Sequence, residues 1–318
     1  KNPNSPFSEF EGNSLSYQEA NLLSNQLANK LVSEGLEVGD RFAFLAKNCT
    51  EMAIMYYAAS KVGAVPVPLN YRLADQEWAY IINDSEAKLI IVRGNEYSDR
   101  INQISSELKN IKKYISVSVD NSIEKFHNFY DWLSDSSNEK PTLKIHENDD
   151  VYQMYTSGTT GHPKGAVLLQ RNVAANIRQY LNSLTLPRPS RTLLVAPMYH
   201  AAAMINMCGC IAIGGTIVIQ EDFIPQDVVD CLANEKITHT VLVPAMIQAC
   251  LVSVPNVANN EYNDLDQIHY GASPIAPETL KKAMDVFKCK FGQGFGMTET
   301  VAAVSYTHLT LPTKTRGG

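Results

Sequence analysis

Apolar residues recur along this chain at helical spacing, and short β-branched runs separate the helical stretches. After Ser16, the apolar positions Leu22, Leu23, Leu27, Leu31 and Val32 fall on one face of a helix. Ser16 and Glu19 have the spacing of a capping box, and Gly35 is a stop signal. Arg41–Ala46 reads as a strand, Thr50 as the cap of a helix reaching Lys61, and Gly63 as its end. Val65–Leu69 is extended, Asp75–Asn83 helical and Lys88–Val92 a short buried strand. Residues 120–149 are polar with weak periodicity, which predicts a surface connection rather than core. A strand at Val151–Thr156 and a helix over Arg171–Leu184 come after it, then a strand at Thr192–Ala196. Next come an apolar helix from Ala201, a glycine turn and the strand Thr216–Ile219. A helix near Gln226–Asn234, strands at Thr240–Val243 and Gln267–Tyr270, and a helix from Pro277 to Phe287 complete the pattern. Such alternation predicts an α/β fold built from right-handed crossovers and parallel sheets. No internal repeat is visible.

The chain has 318 residues, enough for two domains with cores of their own. It is 45% hydrophobic and 19% charged, an ordinary globular balance. A net charge of -6 implies no broad basic surface, hence no nucleic-acid partner. Six cysteines without a C-x-x-C pair argue against thiolate metal sites and for a reducing, cytoplasmic setting. The opening residues lack the apolar core of a signal peptide. They also lack a starting Met, which suggests an incomplete N-terminus. Ala201–Ile219 is uncharged and has the length of a membrane span. Asn206, Gly209, Gly214 and Gly215 interrupt it, so a core helix, a turn and a strand are expected, with no integral membrane span.

The densest candidate chemistry is Tyr155–Gly165, reading YTSGTTGHPKG. Glycines let backbone N–H groups approach a ligand, and successive N–H groups form a concavity for anions. Thr156, Ser157, Thr159 and Thr160 add hydroxyls, and Lys164 adds a positive charge. Each of these ingredients suits a polyphosphate. The Walker pattern needs Gly before Lys and Ser or Thr after it, whereas Pro163 and Gly165 flank Lys164 here. A phosphoryl-transferring P-loop enzyme is therefore disfavoured. A second segment, Gly292–Thr300, reads GQGFGMTET: its glycines suggest a tight turn, Phe295 an aromatic face, and Thr298 and Glu299 a hydroxyl beside a carboxylate. One carboxylate near phosphates suits Mg2+. Smaller candidates are YGASP at Tyr270–Pro274 and PMYH at Pro197–His200.

The glycine-rich loop closely resembles the signature loop of the acyl-adenylate-forming (AMP-binding) superfamily. That superfamily includes acyl-CoA synthetases, peptide-synthetase adenylation domains and luciferases. The resemblance extends from Ser5 to Val304, and PLNYR at Pro68–Arg72 with Asn83-Asp84-Ser85 is similar to the acyl-CoA synthetase branch. It implies a layered αβαβα large domain containing two parallel-sheet subdomains. Residues 1–190 would form the subdomain with the phosphate loop, and 191–304 the subdomain with the adenine and Mg2+ motifs. Residues 305–318 match nothing expected and read as a foreign tail. The small C-terminal domain with its catalytic Lys, and the Asp for the ribose, are absent from this chain.

The resemblance implies ATP, Mg2+ and CoA as the small molecules, with a carboxylic acid as substrate. Thr156, Ser157, Gly158, Thr159, Thr160, Gly161 and Lys164 would hold the β- and γ-phosphates. Thr156 and Glu299 would place Mg2+, and Thr156, Lys164 and Glu299 would carry the catalysis. Thr298 would meet the α-phosphate. Gly271, Ala272 and Ser273 would meet adenine, and Gly294, Phe295 and Gly296 would border adenine and the acyl pocket. His200 lies near the expected carboxylate, Gly294 and Met204 near the acyl tail. The implied activity is that of an AMP-forming acid–CoA ligase for fatty or other apolar acids. Two alternatives stay open: a truncated, non-catalytic ATP-binding module, and an amino-acid adenylation domain. The second is opposed by the lack of an Asp near Pro197–His200 to pair with a substrate ammonium.

Overall fold

In the computed structural model the described residues are 2–117, 123–156, 161–184, 186 and 189–309. The chain opens with β1 (Pro6–Phe10), β2 (Asn13–Ser16), α1 (Tyr17–Ser33), β3 (Arg41–Leu45), α2 (Thr50–Val62), β4 (Val65–Leu69), α3 (Asp75–Asp84) and β5 (Leu89–Val92). It continues through α4 (Asn95–Gln103), β6 (Lys113–Ser116), β7 (Phe126–Asn128), α5 (Phe129–Leu133), β8 (Asp150–Thr156), β9 (Lys164–Leu169) and α6 (Gln170–Ser183). The remainder is β10 (Arg191–Leu194), α7 (Ala201–Ala212), β11 (Thr216–Ile219), α8 (Pro225–Asn234), β12 (His239–Leu242), α9 (Pro244–Ser253), β13 (Gln267–Gly271), α10 (Pro277–Phe287), β14 (Lys290–Gly296) and β15 (Ala303–Leu309). Two compact units result: Asn2–Ser5 with Leu15–Ala174, and Pro6–Ser14 with the chain from Ala175 onward. The division falls within α6 rather than at residue 190. β1 joins the second unit because it pairs in parallel with β11.

The first unit carries a five-stranded parallel sheet in the order β4-β3-β5-β6-β7. Strand order reverses between β3 and β5, the doubly wound arrangement. Helix α1 opens with the expected capping box: Ser16 Oγ accepts from the Glu19 amide at 3.2 Å, and Glu19 Oε2 accepts from the Ser16 amide at 2.8 Å. It closes at Gly35, where the Gly35 amide donates to Val32 O and the Leu36 amide to Leu31 O. This paired closure asks for a left-handed residue, and Gly35 sits at φ +85°. The buried face of α1 is not the leucine stripe. Leu27 and Leu31 are buried, but Leu22 is 37% exposed and Val32 38%. Ser24 and Asn25 take their places inside, because they receive Lys61 Nζ of α2 at 2.6 and 2.7 Å. Cys49, not Thr50, is the N-cap of α2.

Residues 120–149 are not a plain connection. Phe126–Leu133 forms the edge strand β7 and the short helix α5, with Phe129, Trp132 and Leu133 buried. The sparse apolar residues fall on one short turn, a length too small for periodicity to register. A second departure concerns the strand β8. It does not enter the parallel sheet but pairs antiparallel with β9, an element that the hydrophobic pattern did not reveal. Arg41 of β3 holds this hairpin through Gln153 Oε1 at 3.0 Å and Asp150 Oδ2 at 2.9 Å.

The second unit carries an eight-stranded sheet, β15-β14-β13-β12-β10-β11-β1-β2. From β14 to β1 the pairing is parallel, and β15 is antiparallel to β14. One face is apolar: Leu193, Leu242, Ile268 and Phe291 pack with residues of α8, α9 and α10, including Val228, Ile247 and Phe287. The alternate positions are polar and still buried: Thr192, His239, Gln267 and His269. Asn206 of α7 donates to Thr192 Oγ1 at 3.0 Å and accepts from Tyr180 Oη at 2.7 Å. Ala201–Ala212 is thus a core helix, and among the described residues no helix is long and apolar enough to cross a membrane. The glycines of 292–296 lie within β14 and form no tight turn. Ser305–Leu309, which matched no expected segment and read as foreign, are hydrogen-bonded to β14 through backbone groups that any sequence supplies. Residues 310–318 lie outside the described set.

Phe129→Ala leaves a cavity in the first unit and is expected to destabilise it by about 3–5 kcal/mol, read from the urea midpoint. A surface connection would lose almost nothing. Stability is also expected to depend on pH through one buried ring. Burial, aided by His269, pushes His239 down to about 3. Its unfolded value is about 6.5, so below that pH the unfolded chain binds the proton in preference. Its contribution to stability is whole above about pH 6.5 and is lost toward about pH 3, at up to about 1.4 kcal/mol per pH unit. His239→Asn is expected to flatten the acid limb of a stability–pH curve by that slope, and an unchanged limb would contradict this.

Candidate active site

The hairpin of the first unit carries the described ends of the glycine-rich motif. Register pairs Thr156 with Lys164 and Tyr155 with Gly165. Two residues eight apart in sequence thereby face each other at the open end of one ladder. Thr156 Oγ1 donates to the Lys164 carbonyl at 3.5 Å, and the Lys164 side chain is exposed. Ser157, Gly158, Thr159 and Thr160, expected to bind phosphate, lie outside the described residues. At Gly161 a Cβ would meet nothing within 4 Å.

The flanks of this loop are tied down. Tyr155 Oη donates to Asp84 Oδ2 at 2.6 Å and accepts from Gln153 Nε2 at 3.1 Å. Burial raises the Tyr155 pKa, and the adjoining Asp84 carboxylate adds to the effect, so the phenol stays a donor. His162 stacks on Tyr80, with ring centroids 4.5 Å apart and planes at 18°. Asp84 of the Asn83-Asp84-Ser85 run thus meets the first residue of the loop motif.

In the second unit, parallel pairing of β13 and β14 sets Gly271 beside Gly294. A Cβ on Gly271 would collide with the Gly294 carbonyl, so only glycine admits this approach. Ala272 comes next at φ +66°, a left-handed conformation that costs an L-residue about 1–2 kcal/mol. Ser273 is exposed. Phe295 is 60% exposed at the end of β14, so its ring is available for stacking. Gly296 lies against the Ala302 carbonyl, where a Cβ would not fit.

Thr298 and Glu299 stand on a short helical turn, Thr298–Thr300, and Glu299 is exposed. The turn is closed by Thr300, whose Oγ1 accepts from the Met297 amide at 3.1 Å and donates to Met297 O at 2.9 Å. It ends at Val301 with φ +73°, an outlier for a β-branched residue. Asn176, buried on α6, holds the far side: its Nδ2 donates to Thr300 O at 3.3 Å and Ala303 O at 2.9 Å. Strain thus gathers beside both motif segments, a pattern common where backbone is held for a ligand.

The other sequence candidates separate. His200 is the exposed N-cap residue of α7, its ring beside Tyr199 at 4.3 Å. Met204 is wholly enclosed in α7, with Cys208 Sγ at 3.7 Å from its sulfur, so it presents no surface to an acyl group. Backbone conformation explains the difference: His200 is extended at the helix end (φ -92°, ψ 143°), so its side chain leaves the helix, whereas Met204 lies one turn inside on the buried face. Asn176 is a supporting residue outside every motif, and Asp84 and Thr300 lie in motif segments that gave them no such role. A single Asn in an amphipathic helix carries no sequence signal of the carbonyls it will meet. The Thr300 hydroxyl, three residues after Met297, was a legible cap signal.

In the first unit an exposed ammonium stands opposite a hydroxyl, a donor pair that suits phosphate. In the second unit one exposed carboxylate and a side-chain-free backbone strip suit a hard cation and a flat ring. Glu299 supplies a single carboxylate, and a Mg2+ ion there would take its other ligands from phosphate oxygens and water.

Known proteins with these features can be compared directly. The sequence profile of the AMP-binding enzymes matches residues 1–318. The long-chain-fatty-acid–CoA ligase FadD13 of Mycobacterium tuberculosis is 29% identical over 289 residues, covering 90% of this chain and 55% of the ligase. The fatty acid–[acyl-carrier-protein] ligase ScoC of Streptomyces coeruleorubidus is 30% identical over 94% of this chain and 56% of its own length. Feruloyl-CoA synthase of an Amycolatopsis species is 30% identical over 92% and 56%. The chain therefore spans about half the length of these curated relatives. Among solved structures, the N-terminal domain of FACL13 from M. tuberculosis superposes with a TM-score of 0.87 at 26% identity, over 96% of this chain and 75% of that one. The anthranilate CoA ligase AuaEII shares the fold, with a TM-score of 0.90 at 19% identity over 96% and 59%. With its hairpin-borne loop, its Glu299 turn and a profile match along its whole length, this chain belongs to the AMP-binding enzyme family.

Proposed function

We propose that this chain is the nucleotide- and acid-binding part of an AMP-forming acid–CoA ligase, acting on fatty or other apolar carboxylic acids in the cytoplasm. The observation that carries the reading is the β8–β9 register, which sets Thr156 opposite Lys164 at the mouth of the glycine-rich loop. FadD13, ScoC and feruloyl-CoA synthase, whose names describe activation of carboxylic acids, support the class of reaction. The six buried free thiols fit a reducing compartment.

A carboxylate oxygen of the acid attacks the α-phosphorus of ATP, and the bond to the leaving pyrophosphate breaks. Two anions must meet, so the residues contribute mainly by positioning and by offsetting charge. Lys164 takes the β- and γ-phosphates, whose charge grows as pyrophosphate leaves. Thr156 and Glu299 would hold Mg2+, which when bound would offset charge on the phosphoryl oxygens. Thr298 orients the α-phosphate. Gly271, Ala272 and Ser273 offer backbone to the adenine, and Phe295 offers its ring. His200, at the N-terminus of α7, lies toward the acid. The thiol of CoA then attacks the acyl carbon of the adenylate, forming the thioester and releasing AMP.

Calorimetry with Mg·ATP tests the reading on the chain itself. Lys164→Ala is expected to weaken binding about 10- to 100-fold, the loss of a charge-assisted contact. Glu299→Ala is expected to remove the dependence of binding on Mg2+ and, in the whole protein, to abolish acid-dependent pyrophosphate release. No heat from folded wild type at about millimolar nucleotide rejects the reading. Binding without acid-dependent pyrophosphate release in the whole protein leaves an ATP-binding module, and release driven by amino acids an adenylation domain.

A further inference from the structure

Helix α3 reaches the mouth of the β8–β9 hairpin at two points. On its last turn the Asp84 carboxylate accepts hydrogen bonds from two phenols, Tyr155 at 2.6 Å and Tyr80 at 3.4 Å. One turn earlier the Tyr80 ring stacks on His162 at 4.5 Å. Tyr155 directly precedes Thr156, and His162 lies two residues before Lys164. Each strand of the mouth is therefore tied to the same helix, next to the residue that faces the loop.

The hairpin needs such a tie. A two-stranded ladder is marginal by itself, and its terminal pair frays first. Arg41 secures the base of this ladder, through Asp150 and Gln153. The terminal pair, Thr156 with Lys164, lies beyond that support and, among the described residues, is joined by the ladder and the long Thr156 bond. Gln153 also donates to Tyr155 Oη, which fixes the phenol so that its proton points at Asp84. Asp84 is exposed, and Tyr80 and Tyr155 are partly so; none of the three is core.

We propose that Asp84, Tyr80 and Tyr155 are positioning residues that hold Thr156 and Lys164 at the spacing a nucleotide polyphosphate requires. This rests on the function proposed above. The clamp touches no reacting atom: it removes the freedom of two strand ends before the ligand arrives. Asp84 acts through both phenols, so loss of either partner of the Tyr155–Asp84 bond releases the same strand end.

The test is Mg·ATP calorimetry on the full chain, with amide exchange of β8–β9 measured in parallel. Tyr155→Phe and Asp84→Ala are each expected to weaken Mg·ATP about 5- to 20-fold, the scale of one charged hydrogen bond. The double variant is expected to lose no more than Asp84→Ala alone, because the two act through one contact. The Thr156 and Lys164 amides are expected to exchange at least about fivefold faster in Asp84→Ala, with β3–β5 unchanged. Asp84→Asn, which keeps an acceptor, is expected to recover part of both effects. Tyr80→Phe keeps the His162 stack and is expected to fall nearer wild type than Tyr80→Ala. Wild-type affinity in both Tyr155→Phe and Asp84→Ala overturns the inference, as does faster exchange without weaker binding. Equal weakening of all variants in step with a lower urea midpoint overturns it too, since that marks a merely structural role. If wild type itself binds no Mg·ATP, the proposed function fails, a result distinct from wild-type binding that the variants share.

Discussion

Backbone approach without side chains governs the second unit. Parallel pairing of β13 and β14 leaves no room for a Cβ at Gly271, because the Gly294 carbonyl occupies that space. The pairing fixes where both strands end. The segments leaving those ends are placed with them: Ala272 and Ser273 after β13, the Thr298–Glu299 turn after β14. Strain at Ala272 and Val301 is tolerated because the sheet on one side and the Asn176 and Thr300 hydrogen bonds on the other over-determine those residues. A residue with a side chain at position 271 would push the strands apart and move both segments together.

The two faces of that sheet divide the work. Leu193, Ile268 and Phe291 supply an apolar face for three helices. The opposite face buries Thr192, His239, Gln267 and His269, an arrangement that costs stability unless partners are found. Tyr180, Asn206 and Thr192 form such a chain of partners, and Ser190 and Thr238 flank His239 Nδ1 at 3.3 and 3.1 Å. Glycines rather than side chains take this face on the neighbouring strand, at Gly292 and Gly294. Polar groups and bare backbone thus share one side of the sheet, and an apolar cluster packs on the other.

In the first unit the same division appears on a smaller scale. The parallel sheet, with β5 at its centre, is built largely of buried apolar strands. The hairpin that bears the loop buries Val151, Tyr152, Met154 and Leu168, while its open end is held by polar and ring contacts from Asp84 and Tyr80. A loop that binds and releases a ligand is served by such a mount, since polar contacts at a rim can loosen without opening the core.

Much was legible in the sequence. Ser16 with Glu19, Gly35, Gly63 and Pro277 mark helix ends through local backbone chemistry, and the structure places them there. The two motifs that carry the family resemblance were visible for the same local reason: a glycine, a hydroxyl or a lysine contributes its chemistry wherever the chain puts it. Tertiary structure decided the rest. The leucine stripe of α1 lost to Ser24 and Asn25 because Lys61 of another helix needed oxygen partners. β8 left the parallel sheet for an antiparallel hairpin because β9 was there to pair with it. GQGFG became a strand rather than a turn because β13 offered a ladder. Met204 is enclosed while His200 stays at the surface, since His200 is the extended N-cap residue at the helix end and the first turns of α7 are packed in the core. Asp84 and Asn176 became supports only when folding brought a phenol and two carbonyls to them. Sequence alone determines what a residue can donate, accept or permit; which partner it meets is decided by contacts distant in the chain.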